Sequence, residues 1–302
     1  VENMKKTINS KLLSSKASPI QLLHQSEFYK VFDYMCSCSE CGTSAKEYNT
    51  SFNICLSKKG NYGHNSFKKQ YDIYNGIVLL QKPMTEYTIT HHNPSPDETT
   101  VITFSKLFYE EIIEETTFGK SPFYSNQNLQ AVALKSKPYW ELLHHFILQM
   151  ALHKSSTDKL KADMIVMELL NEIIDELCEP QIIKLIPAKI KTLHLGTVEK
   201  AKEYISGNFR KDLSLSEIAC SANVSSFHFT RIFKQLTGYS PYRYLIIQRL
   251  NYASLLLKTT SQQVSEVCIN AGFNTIEHFT TTFTEHYSVS PLAFRTQKSN
   301  IP

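Results

Sequence analysis

Residues 216–241 read SEIACSANVSSFHFTRIFKQLTGYSP, and residues 265–291 read SEVCINAGFNTIEHFTTTFTEHYSVSP. The second stretch repeats the first at an offset of 49 that becomes 50 after Thr275. Glu217 answers to Glu266, Ala222 to Ala271, Phe229 to Phe279, Phe233 to Phe283, and Ser240-Pro241 to Ser290-Pro291. In the first copy Ser214 and Glu217 form an S-x-x-E capping box, which opens a short helix. Asn223-Val224 breaks that helix, and Ser225 restarts another with Phe229, Ile232 and Phe233 facing inward. In the second copy Asn274 and Glu277 supply an N-x-x-E cap. Short helix, tight turn and second amphipathic helix make the helix-turn-helix plan, here present twice.

Between the copies, PYRYLIIQRLNYASLLLKTT (241–260) puts Ile246, Leu250, Ala253 and Leu257 on one helical stripe. One rigid helix thus spaces two similar units, which suits successive major grooves about 34 Å apart on one face of DNA. The outward side of the first copy's second helix carries Ser226, Phe227, Thr230, Arg231 and Lys234. Arg231 can reach a guanine edge with two hydrogen bonds, and Thr230 and Phe227 can touch thymine methyls.

The charge distribution agrees. From Leu195 to Pro302 there are 11 Lys+Arg against 7 Asp+Glu, whereas the first 194 residues balance at 21 of each, so the net charge of +4 lies in the last third. That asymmetry is expected when one domain meets nucleic acid and the other does not. No run reaches the ~18–20 apolar residues of a membrane helix. The opening VENMKKTINSK lacks the apolar segment of a secretory signal. Seven cysteines without framework spacing point to a reducing cytoplasm.

Upstream, residues 1–35 begin polar and turn apolar at Phe28, Val31 and Phe32. SFNICL, QYDIY, GIVLL, EYTITHH and TTVITF then follow between residues 51 and 104, separated by Gly60, Asn75-Gly76, Pro83 and NPSPD. Short strands at this spacing predict a small barrel or sandwich. The period then becomes helical in LFYEEIIEE, in PYWELLHHFILQMAL behind Pro138, and in KADMIVMELLNEIIDELCEP up to Pro180. The last carries a stripe of Val166, Leu170, Ile173 and Leu177, a surface for packing or for dimerisation. PQIIKLIPAKIKTLHLGT reads as a linker.

GFNTIEHFTTTF, YSVSPLAFR and TGYSPYRYLIIQRL, within Thr197–Gln297, strongly resemble the AraC/XylS family of bacterial transcription regulators. The resemblance implies an α+β chain in three parts. Residues 1–179 would be a cupin-like β-barrel sensor with a helical dimerisation segment, 180–196 a linker, and 197–302 an all-α DNA-binding domain with two helix-turn-helix units. It implies promoter DNA, a small-molecule effector and RNA polymerase as partners of a cytoplasmic homodimer, with activation favoured over repression. The family's base-reading arginine falls on Arg231, whereas the second copy has Thr281 there and Thr284 in place of Lys234. Thr275, Ile276, Thr280 and Thr281 are its candidate contacts, weak in base reading and helped by backbone N–H groups at the helix start.

Tyr71, Tyr74, Tyr87 and His91, with Phe104, are candidates to line the effector pocket; core packing is the plainer role of each Tyr and Phe, and an exposed loop position that of His91. Cys36, Cys38 and Cys41 lie within six residues. They could converge on zinc or another soft metal, with Cys55 or His64 as a fourth ligand, or act as redox-sensing thiols. A DNA-repair methyltransferase fused to the same DNA-binding fold would need more widely spread cysteines and a PCHR-like motif. Neither occurs, nor does any G-x-S-x-G, P-loop or G-x-G-x-x-G, so the reading is of a regulator and not an enzyme.

Overall fold

The computed structural model describes residues 20–36, 42–92, 96–152, 156–178 and 186–298. The chain divides into two units, Val1–Lys135 with Leu148–Lys184, and Ser136–Ile147 with Leu185–Pro302.

The first unit holds β1 (Ile20–Gln25), β2 (Tyr29–Cys36), β3 (Glu47–Asn49), β4 (Phe52–Lys59), β5 (Asn61–Ser66), β6 (Lys69–Tyr74), β7 (Ile77–Gln81), β8 (Thr85–His91), β9 (Asp97–Phe104) and, after two helices, β10 (Ala131–Lys135). One sheet runs β1-β2-β9-β4-β7-β10 and the other β3-β8-β5-β6, with every pairing antiparallel. β7 lies between β4 and β10 and is buried along its length, as its unbroken apolar run IVLL requires. β5 is polar in sequence, NYGHNS, yet central, because its inward side chains find partners in the facing sheet and at its edge. Thr99 donates to the Tyr62 hydroxyl (3.4 Å), Gln81 Nε2 meets His64 Nε2 (2.6 Å), and Ser66 donates to Gln130 Oε1 (3.3 Å).

The expected cupin-like barrel is therefore corrected to two open sheets: among the described residues their edge strands share no main-chain ladder. Side chains join them instead, as where the Tyr71 hydroxyl of β6 donates to the Ala131 carbonyl of β10 at 2.5 Å. Ser105 caps α1 (Lys106–Glu115) by accepting from the Phe108 N–H. A 3-10 turn and α2 (Pro122–Ser125) follow. Phe52 packs against Tyr109 (5.1 Å between rings) and Phe118 (5.4 Å), closing the far face of the larger sheet.

α3 (Pro138–Leu152) and α4 (Ser156–Cys178) match the helical periods of the sequence. The predicted stripe of α4, Val166, Leu170, Ile173 and Leu177, is buried, and Asp163 accepts from the Tyr29 hydroxyl at 2.6 Å.

The second unit takes residues 138–147 of α3 together with α5 (Ala188–Asn208), α6 (Leu215–Ser221), α7 (Ser226–Thr237), α8 (Pro241–Thr259), α9 (Val264–Asn270), α10 (Ile276–Tyr287) and α11 (Pro291–Lys298). Residues 188–196 of the expected linker are thus the first turns of α5; its residues 180–185 lie outside the described residues. Of the 19 residues of α8, 13 are buried, so it packs on almost all sides rather than along one stripe. Its buried Arg249 donates to the carbonyls of Phe209 and Lys211, both at 2.7 Å, and so satisfies the chain end of α5.

On α3, Glu141 accepts from buried Lys202 (2.7 Å) and from the Tyr244 hydroxyl, while Gln248 donates to Tyr244 (3.1 Å) and to the Pro138 carbonyl (2.9 Å). Glu141→Ala is expected to destabilise this unit by on the order of 3 kcal/mol, because Lys202 would stay buried without its counter-charge. Denaturant unfolding followed by the fluorescence of Trp140, the sole tryptophan, measures it. An unchanged midpoint would show that the pair contributes nothing.

Candidate nucleic-acid interface and sheet interior

In the first helix-turn-helix the Ser214–Glu217 capping box is formed in both directions. Asn223 turns the chain at φ +58°, and Ser225 opens α7. Phe229, Ile232 and Phe233 are buried, with Phe233 edge-on to Tyr244 of α8 at 5.4 Å. The opposite side of α7 presents Phe227, Arg231 and Lys234 at i, i+4 and i+7, all exposed. Phe227 is 89% exposed, an unusual place for so large an apolar ring unless something else covers it. Ser226 and Thr230 are half-buried at the stripe's edge, and the Thr230 hydroxyl donates to the Ser226 carbonyl at 2.9 Å, leaving its methyl group for an outside contact.

The second unit repeats this frame with different chemistry. Val267, Ala271, Phe273, Phe279 and Phe283 close its core against Ile246, Leu250, Ala253 and Leu257, the stripe expected for α8. Gln263 and Glu266 form the box that caps α9. The expected Asn274 cap of α10 is corrected to Thr275, whose hydroxyl accepts from the His278 N–H. The connection from α9 to α10 is one residue longer than that from α6 to α7, and Gly272 takes the positive-φ place of Asn223, at +85°. The stripe matching Phe227, Arg231 and Lys234 is Glu277, Thr281 and Thr284, again exposed but without a cation. Ile276 is exposed and Thr280 half-buried beside it.

In the sheet unit, the candidates separate. Tyr87 stacks on His64 (5.0 Å, 19°) and donates to Glu47 at 2.9 Å; Tyr71 stands 6.2 Å from the same imidazole. Tyr74 is buried apart from the His64 cluster, its hydroxyl pushed up to about 12 by burial, and Phe104 belongs to the Phe52 aromatic core. His64 and Gln81, which sequence reasoning did not single out for this role, bridge the two sheets. Gln81 donates to the imidazole and accepts from Cys55 (3.5 Å), so Cys55 and His64 join this cluster. Burial drives the Cys55 thiol up to about 12 and the His64 imidazole down to about 4, and the His64 Nδ1 has no hydrogen-bond partner. Tyr71 and Tyr87 were the sequence candidates that fall in this interior, and the polar run NYGHNS is the signal for His64.

His91 stands elsewhere, with Nδ1 2.6 Å from Asp97 Oδ2 and Nε2 4.0 Å from Cys36 Sγ; these three are donors suited to a metal ion. The hydrogen bond that His91 donates to the Asp97 carboxylate holds its pKa above the ordinary value. Cys38 and Cys41 lie outside the described residues.

Residues 218–297 match the family model of a helix-turn-helix domain. Over 133 residues, 44% of this chain, it is 27% identical to the lactose operon transcription activator of Staphylococcus xylosus, covering 47% of that protein. Over 100 residues, 33% of this chain, it is 26% identical to the transcriptional regulator Rob of Salmonella typhimurium, covering 35% of it. The chain thus spans less than half the length of these curated relatives. A looser likeness, at TM-score 0.40 and 13% identity, covers 90% of this chain and 96% of fatty-acid-bound ToxT from Vibrio cholerae.

A Cβ on Gly272 would stand 2.9 Å from the Arg210 backbone at a φ that side chains resist. Gly272→Ala is therefore expected to lower stability by about 1–3 kcal/mol in thermal unfolding, with Asn223→Ala costing less; equal effects would refute the close-approach argument. A second outcome concerns pH. Folded His64 stays neutral down to about 4, whereas in the unfolded chain it takes up a proton below its ordinary 6.5, so stability falls as pH falls through that window. At pH 5 the loss relative to pH 7.5 is about 2 kcal/mol. His64→Gln should flatten that part of the profile; parallel profiles would exclude His64 as its source.

Proposed function

We propose that the protein, whose residues 218–297 match a helix-turn-helix domain, is a sequence-specific, dimeric transcription activator of the AraC/XylS type whose sheet unit binds a small effector. The observation that carries the reading is the exposed Phe227–Arg231–Lys234 stripe, on a helix that buries Phe229, Ile232 and Phe233 on its other side and ends at the left-handed Gly238. In this reading α7 lies in the major groove: Arg231 reads a guanine edge, Phe227 and the Thr230 methyl meet thymine methyls, and Lys234 and Ser226 hold phosphates. α10 enters the next groove with Thr275, Ile276, Thr280 and Thr281, and discriminates bases weakly.

The interior around His64 supports an effector site. An unpartnered imidazole nitrogen between the Tyr71 and Tyr87 rings offers a polar anchor inside an aromatic wall. Leu160 and Met164, exposed one turn apart on α4, support that helix as the dimer surface. RNA polymerase is the partner that an activator seated beside a promoter would touch. No described helix is long and apolar enough to cross a membrane; action on cytoplasmic DNA is the proposed setting, and no catalysis is assigned.

The test is a binding titration on cognate and random duplexes. Arg231→Ala is expected to weaken cognate binding by roughly 1–3 kcal/mol and to relax specificity, with Thr281→Ala far milder. An equal loss on both duplexes would defeat the base-reading role of Arg231, and a comparable loss from Thr281→Ala would defeat the asymmetry between the units.

A further inference from the structure

We propose that Cys36, His91 and Asp97 form a site for one soft divalent metal ion of the zinc class. Their donor atoms lie within 4.8 Å of one another although 55 residues separate Cys36 from His91. The sheets create the cluster. Cys36, the last residue of β2, is the direct antiparallel partner of Asp97, the first residue of β9. His91 ends β8 in the other sheet, paired with Tyr62 of β5 and anchored by its N–H to the Gly42 carbonyl at 3.3 Å. Three donors from three strand ends, drawn from both sheets, are thus held by main-chain ladders and not by a loop.

The donor chemistry narrows the ion. A thiolate and a carboxylate carry two negative charges to match a dication, and the imidazole adds one neutral nitrogen donor within 4.8 Å of both. Sulfur and imidazole together favour zinc-like ions over magnesium or calcium. Three protein donors leave a fourth position for water or a ligand. Among the ion pairs of the described residues, that of Asp97 is with His91 and not with a lysine or arginine. Of the three cysteines singled out in the sequence, Cys36 is the one among the described residues, and it is joined here by two distant residues. The site does not depend on the DNA-binding reading, and its test needs no DNA.

The experiment is cobalt(II) titration of the full chain, stripped of metal with a chelator, followed by absorbance. One equivalent of cobalt with a thiolate-to-metal charge-transfer band, displaced by zinc, is expected. Cys36→Ser should abolish that band, and His91→Ala and Asp97→Asn should each weaken binding at least about tenfold. The double variant Cys38→Ser/Cys41→Ser should keep both band and stoichiometry, with circular dichroism confirming that each variant folds. Failure to bind cobalt, a band that survives Cys36→Ser, or a band lost in the double variant would overturn the proposal.

Discussion

Everything in the C-terminal unit depends on burying α8 from nearly every direction. Each helix-turn-helix is a pair of short helices with too little apolar surface to hold a core alone. The Phe229–Phe233 pair closes on Tyr244 from one side, and the Phe279–Phe283 pair closes on Leu250 and Leu257 from the other. Because the same rod forms half of both cores, the separation and relative rotation of α7 and α10 are properties of α8 and not of loops. The buried Arg249 donates to the carbonyls of Phe209 and Lys211, and the buried Gln248 amide donates to the carbonyl of Pro138. Those bonds fix the ends of α5 and α3 to the rod.

The sheet unit solves a different problem. Among the described residues the two open sheets share no ladder, and much of what joins them is polar: Gln81 with His64, Tyr71 with Ala131 and Thr99 with Tyr62. A hydrogen-bonded interior keeps groups in reach that an apolar core would exclude. Both chemically distinctive clusters, that around His64 and that of Cys36, His91 and Asp97, combine residues of the two sheets for this reason.

The repeat, its caps and the α8 stripe were legible because duplication writes the same core twice, and Phe229/Phe279 and Phe233/Phe283 are required at the same depth. α3 and α4 were legible through a periodic apolar stripe, and β4, β6, β7, β8 and β9 through apolar or alternating runs. β1, β2, β3, β5 and β10 were not. β2 mixes Lys30, Asp33 and Cys36 among its apolar residues, and β5 hides its burial behind polar letters whose partners are remote in sequence. The cluster of Cys36, His91 and Asp97 is a product of strand register, which no local pattern encodes. The cap of α10 slipped from Asn274 to Thr275 because the turn before it is one residue longer than in the first copy.

Helix α10 carries three threonines in a row, Thr280 to Thr282, and a fourth at Thr284. The hydroxyls of Thr282 and Thr284 donate to the carbonyls of His278 and Thr280, both at 2.7 Å, so both hydroxyl protons are engaged within the helix. α10 carries Glu277 and Glu285 and no lysine or arginine, so in the proposed DNA-bound state it lacks the fixed cations with which Arg231 and Lys234 of α7 would displace the sodium or potassium ions condensed on a duplex. Ionic strength would then act unevenly along one bound site, loosening the half under α7 and sparing the half under α10.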